Sequence, residues 1–153
     1  MNCETPRIVP RITPFLWYDG RAEEAANFYT SIFENSKVLE VSPMVVTFEL
    51  SGMCFMALNG GPMFQFTEAI SFYVNCETQE EVDYFWGKLG DGGTIQQCGW
   101  VKDRFGVSWQ IVPSILGDLL GADDSEKARR AMDAMLQMVK LDIGALKAAF
   151  DGR

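Results

Sequence analysis

AISFYVNCETQEEVDYFWGKLG, residues 69–90, decides how the rest of the chain reads. Its first part alternates, with Ser71 and Tyr73 on one side and Phe72 and Val74 on the other, the period of a strand with one apolar face. Thr78 stands three residues before Glu81, a capping box, and Val82, Phe85, Trp86 and Leu89 then recur at helical spacing. Gly90, Gly92 and Gly93 stop the helix. The same order occurs earlier, in ITPFLWYDGRAEEAANFYTSIF at 12–33, where Asp19 is the expected N-cap and Ala22, Ala25, Ala26, Tyr29, Ile32 and Phe33 form the apolar face.

Aligning the Glu-Glu pairs of the two helices (Glu23, Glu80) gives an offset of 57, which lays Phe15 on Phe72. Aligning the later turns SGMCFMAL and FGVSWQIV (Gly52, Gly106) gives 54, so one strand–helix–strand–strand–strand unit occurs twice. Two long copies point to a pair of modules that bury sheet faces against helices, not to a solenoid of short repeats. From Asp123 to Phe150 the chain turns helical. Ala128, Ala131, Met132, Met135, Leu136 and Val139 form a stripe behind Asp123 or Asp124, and Asp142 caps a last helix ending at Gly152 after a break near Leu141. Packing of this stripe on its own domain is the first reading, a partner surface the second.

With 48% hydrophobic residues in 153, the chain has enough apolar surface for one core or two fused half-domains. A formal charge of -8 repels a phosphate backbone, and no nucleic-acid motif or cationic cluster offsets it. Cys3, Cys54, Cys76 and Cys98 are far apart, and the chain has no histidine to complete a zinc site. The expectation is four reduced thiols in a cytoplasmic protein. MNCETPRIVPRITP has neither a signal-peptide pattern nor an apolar anchor.

PFLWYDGRAEEAANFYTSIF, FMALNGGPMFQFTEAISFYVNCETQEEVDYFW, CGWVKDRFGVSWQIVPS and AMLQMVKLDIGALKAAF resemble the PhnB-like branch of the vicinal-oxygen-chelate superfamily, the glyoxalase and bleomycin-resistance fold. The resemblance runs from about Pro14 to Phe150. It implies an α+β fold of two βαβββ modules forming a curved mixed sheet with a cup, assembled as a homodimer. The expected boundaries are 11–114 for the paired modules, about 11–61 and 67–114, and 115–153 for a helical extension packed on the domain or on a dimer partner. The branch often bears the label 3-demethylubiquinone-9 3-methyltransferase. Methyl transfer from S-adenosylmethionine ordinarily calls for a glycine-rich turn between a strand and a helix of a doubly wound sheet, whereas NGGP at 59–62 leads into a loop and a strand. Relatives also have a longer loop near KVLEVSPMVVTFEL and often a histidine where this chain has Met63.

Metal enzymes of the superfamily draw histidine and carboxylate ligands from four strands, and their patterns fall here on Ile12, Met56, Ala69 and Gln110. One neutral amide oxygen beside three apolar side chains does not compensate a divalent ion for its lost water. No cofactor and no metal are therefore expected. Strand alternation gives the cup-lining set: Leu16, Tyr18, Cys54, Met56, Leu58, Ser71, Tyr73, Ser108 and Gln110, with Ala69 beside them. Phe15, Trp17, Phe55, Phe72, Val74, Trp109 and Ile111 are assigned to the helix-facing core. Cys54 is read as a buried thiol first and a nucleophile second, and Asp103-Arg104 as part of an exposed hairpin turn. The functional expectation is a homodimer that binds or sequesters a small, partly apolar molecule without a metal, and neither nucleic acid nor membrane. The alternative is a metal-independent enzyme acting on a small metabolite. Its catalytic residues stay unassigned.

Overall fold

The computed structural model describes residues 10–153, so Cys3 and the expectation about the N-terminal stretch lie outside the described residues. The described residues fall into two compact units, 10–66 and 67–153. Each carries a four-stranded mixed sheet, which realises the repeat as two sheets.

The first unit runs β1 (Phe15–Tyr18), α1 (Ala22–Ile32), β2 (Lys37–Val41), β3 (Val45–Leu50) and β4 (Met53–Asn59), in sheet order β1-β4-β3-β2. β1 lies parallel to β4, and the other pairs are antiparallel. Helix α1 buries Ala22, Ala25, Ala26, Tyr29 and Ile32, the face the spacing predicts. Tyr29 stacks on Phe48, and Phe48 on Phe55, a column in which each aromatic pair adds about 1 kcal/mol beyond its burial. The N-terminus of α1 departs from expectation: Arg21, not Asp19, is the N-cap and makes no side-chain cap bond. Its first amide is held from β4 instead, Ala22 N–H donating to Asn59 Oδ1 at 2.9 Å.

The second unit repeats the order with β5 (Phe72–Cys76), α2 (Gln79–Gly90), β6 (Thr94–Ile95), β7 (Trp100–Lys102) and β8 (Ser108–Pro113), in sheet order β5-β8-β7-β6. Thr78 caps α2 as the capping box requires, and Glu81 returns a bond from Glu77 N–H. Val82, Trp86 and Leu89 are buried on one side of α2, as are Val101, Trp109 and Ile111 in the strands.

Three helices follow: α3 (Ile115–Leu120), which the sequence pattern does not announce, α4 (Ser125–Leu136) and α5 (Ile143–Asp151). Asp124 caps α4, Asp142 caps α5, and Gly152 ends α5 in the left-handed conformation. Leu116, Leu119, Ala131, Leu141 and Leu146 close a core with Val112 of β8. The helices are clamped to α2 by Gln79, whose amide donates to Leu141 O and accepts from Ile143 N–H, and by the Lys140–Asp83 ion pair. That pair and the Gln79 amide hold the Asp83 carboxyl below its ordinary value. Of the predicted stripe, Ala131 is buried, but Met132, Leu136 and Val139 are exposed.

Candidate functional site

Each sheet packs one face on its helix. In the second unit the opposite face is where polar and aromatic side chains collect. Parallel pairing sets Tyr73 beside Gln110, and the β7–β8 hairpin sets Trp100 on Gln110's other side, so Tyr73, Gln110 and Trp100 form one row across three strands. Lys102 pairs with Ser108 two residues along β8. Gln110 Nε2 donates to Ser71 Oγ at 2.9 Å. The amide is thereby oriented, with its Oε1 left as acceptor and the Ser71 hydroxyl left as donor.

Ser108 is 1% exposed, and its Oγ, like Thr13 Oγ1 and Gln96 Oε1, has no hydrogen-bond partner among the described residues. A buried hydroxyl without a partner costs about 1–3 kcal/mol, so this position is a liability unless something completes it. Beside this row Tyr73 is 59% exposed. Partial desolvation, then the neighbouring Cys76, push its hydroxyl above the ordinary value, so it stays a neutral donor at neutral pH.

The structure thus places the expected Ser71, Tyr73, Ser108 and Gln110 on one face. It adds Trp100, which the sequence reading omits although the Trp-Val-Lys alternation around inward-facing Val101 carries the signal.

In the first unit the face opposite α1 carries Cys54, Met56 and Leu58, as expected. Leu16 and Tyr18 correct the expectation: they register with Ala57 and Asn59 on the helix face, and Tyr18 Oη lies 3.1 Å from Tyr29 Oη. Phe15 and Trp17, assigned to the core, take the open face beside Met56 and Leu58. The cause is register. Phe15 pairs with Met56 as Tyr73 pairs with Gln110, so Phe15 corresponds to Tyr73, an offset of 58 and not 57. A slip of one residue exchanges the faces of a strand. The NGGP loop folds onto Trp17, whose Nε1 donates to Gly61 O at 2.8 Å and whose ring meets Phe64 edge-on.

Two further expectations change. Cys54 is disulfide-bonded, whereas Cys76 and Cys98 are free thiols, so four reduced cysteines are not what the fold contains and Cys54 presents no thiolate. Asp103 does shape the β7–β8 turn, but it is 3% exposed, its carboxylate accepting from Phe105 N–H, Val107 N–H and Trp109 Nε1. A separate shallow groove of about 490 Å³ lies on the α2 side, lined by Asp83, Tyr84, Trp86, Lys88, Asp91 and Ile95, and includes none of the expected site residues.

The sequence pattern of the 3-demethylubiquinone-9 3-methyltransferase family matches residues 10–112. A putative 3-demethylubiquinone-9 3-methyltransferase, PhnB protein, from Bacillus cereus is 38% identical, with 68% of this chain and 99% of that one aligned at a TM-score of 0.64. The chain belongs to the PhnB-like family. The same fold recurs in a protein from Pseudomonas aeruginosa, at 20% identity over 67% of this chain and 96% of that one (TM-score 0.56). It recurs again in the fosfomycin resistance protein FosX from Listeria monocytogenes, solved with manganese and sulfate, at 15% identity over 67% and 88% (TM-score 0.50). No curated protein matches the chain. In this PhnB-like chain the three C-terminal helices follow the family region, which ends at residue 112.

Neither group that the family suggests fits the residues present. Ile12 is 85% exposed and precedes β1, Ala69 sits in a turn before β5, Met56 is a thioether, and Gln110 is already tied to Ser71. Among the described residues no three histidine, cysteine, aspartate or glutamate side chains gather. For S-adenosylmethionine, the glycine turn joins β4 to a loop and β5 with no helix after it. A Cβ at Gly60 would come within 2.4 Å of the Trp17 indole, so packing accounts for that glycine. No helix among the described residues is long and apolar enough to cross a membrane.

Proposed function

We propose that this PhnB-like protein binds a small, partly aromatic molecule on the open face of its second sheet, without a metal. The observation that carries the reading is the Tyr73–Gln110–Trp100 row beside the Ser108 hydroxyl, which has no partner among the described residues. Two aromatic rings flanking an oriented amide supply contact area and one polar anchor, the make-up of small-molecule sites. Cys54, Met56 and Leu58 give the first unit an apolar open face of the same kind. The runner-up, a metal-independent enzyme, loses the Cys54 thiolate to the disulfide.

A homodimer belongs to the same proposal. Among the described residues the outer strands of each sheet, β1 and β2, β5 and β6, have no strand beyond them, and Met132, Leu136 and Val139 form an exposed stripe on the extension. A cytoplasmic location was the expectation, and the disulfide at Cys54 stands against it, because reducing compartments seldom keep such bonds. The test is a protein-observed NMR screen of small aromatic compounds. Shifts centred on Tyr73, Trp100 and Gln110 that Trp100→Ala abolishes support the reading. Shifts confined to the α2 groove reject it.

A further inference from the structure

We propose that Lys102 and Ser108 receive a carboxylate at one end of the ligand, and that Glu68 holds the Lys102 half of this receptor in the free chain while the Ser108 half stays unfilled. The inference rests on the reading of this face as the binding face and names its ligand class: flat aromatic carboxylic acids.

The Ser108 hydroxyl is buried on the face of Gln110 and has no partner among the described residues. A group so placed calls for an acceptor. Lys102 is its cross-strand neighbour, and side chains so paired start about 5 Å apart, close enough for the ammonium and the hydroxyl to converge on one oxyanion. At present the ammonium is ion-paired with Glu68. Glu68 lies in the turn four residues before β5, the strand that flanks β8 opposite β7, so the pair ties Lys102 of β7 to the segment that leads into β5.

The protein's own carboxylate therefore stands on the Lys102 ammonium that a ligand's would take, short of the Ser108 hydroxyl, and it is held weakly. The Lys102 and Glu68 side chains are 30% and 52% exposed, a class of ion pair that contributes little and exchanges readily. The aromatic row lies two residues along β8, roughly 7 Å from the receptor. That is about the distance from a carboxylate to the far edge of an attached fused two-ring system. A second anionic charge would find no second cation among the side chains named, so a single carboxylate fits better than a phosphate ester.

The test compares 2-naphthoate with 2-naphthamide, of the same shape but uncharged, in titrations followed by NMR on the whole chain. Three variants accompany it: Glu68→Gln, Ser108→Ala and Lys102→Met, each checked for an unchanged folded spectrum. The expected result is that 2-naphthoate binds more tightly than the amide. Glu68→Gln then tightens 2-naphthoate alone by about fivefold, and Ser108→Ala weakens it by about tenfold. Lys102→Met erases the preference. Equal binding of both compounds at Trp100, unmoved by Glu68→Gln, overturns the carboxylate receptor and leaves the binding face standing. Failure of both compounds to shift Trp100 or Gln110 overturns the receptor and the binding face together.

Discussion

Replacing Asp103 by alanine tests whether the buried turn carboxylate holds the second sheet together. Its oxygens accept from Phe105 N–H at 2.8 Å, Val107 N–H at 3.0 Å and Trp109 Nε1 at 2.9 Å. Hydrogen bonds to a charged acceptor are each worth about 1.5–3 kcal/mol, so the three together bring a gross gain of about 6 kcal/mol. Burying the carboxylate costs several kcal/mol, which alanine recovers. The donors left behind are unequal: Val107 and Trp109 are each 3% exposed, while Phe105 N–H is only partly buried and reaches water more easily. The expected net loss is about 3–4 kcal/mol, or a fall of about 8–14 °C in Tm for a chain of this size. Asp103→Asn should lose about 2 kcal/mol, because its Nδ2 would face the Trp109 N–H donor to donor. Urea unfolding followed by tryptophan fluorescence measures both. A loss under 1 kcal/mol for Asp103→Ala, or an Asn variant as stable as the parent, would refute the reasoning.

Ser108→Ala removes a buried hydroxyl with no partner among the described residues and should raise stability by about 1 kcal/mol in urea unfolding; a loss would show that the hydroxyl is satisfied. Gly93→Ala would set a Cβ 2.0 Å from the Lys102 carbonyl oxygen and should cost about 3 kcal/mol or more, whereas Gly87→Ala, with nothing within 4 Å, should be neutral or stabilising. Burial first, with the charges of Glu81 and Glu77, raises the Cys76 thiol from its ordinary value near 9 to about 11. Because the unfolded thiol ionises first, the folded state holds the extra proton between pH 9 and 11, and the Cys76 contribution to stability falls as pH rises through that window. A thiol reagent at pH 8 should accordingly modify Cys98 well before Cys76, and equal rates would contradict the burial.

The parts that repeat were legible in the sequence, since α1 and α2 carry clean helical spacing and α2 and α5 announce their caps. β5 was legible too, because Ser71 and Tyr73 differ in polarity from Phe72 and Val74. β1 was not: Phe15, Leu16, Trp17 and Tyr18 are all bulky, so nothing within the strand says which pair faces the helix. The parallel pairing with β4 decides it, and a one-residue difference in the loop after β1 hides that register from the repeat. Asp103 reads as a turn former by composition, and its burial follows from the tryptophan six residues later closing over it. Helix α3 is six residues long, too short for a period to show.

The most direct test of the account is a native mass spectrum of the untagged chain, purified without chelator and recorded beside its Trp100→Ala and Gln110→Ala variants. The account predicts an organic mass bound to the parent, absent from both variants, with no divalent ion at stoichiometric level. One metal per chain, or an organic mass that both variants retain, would contradict it.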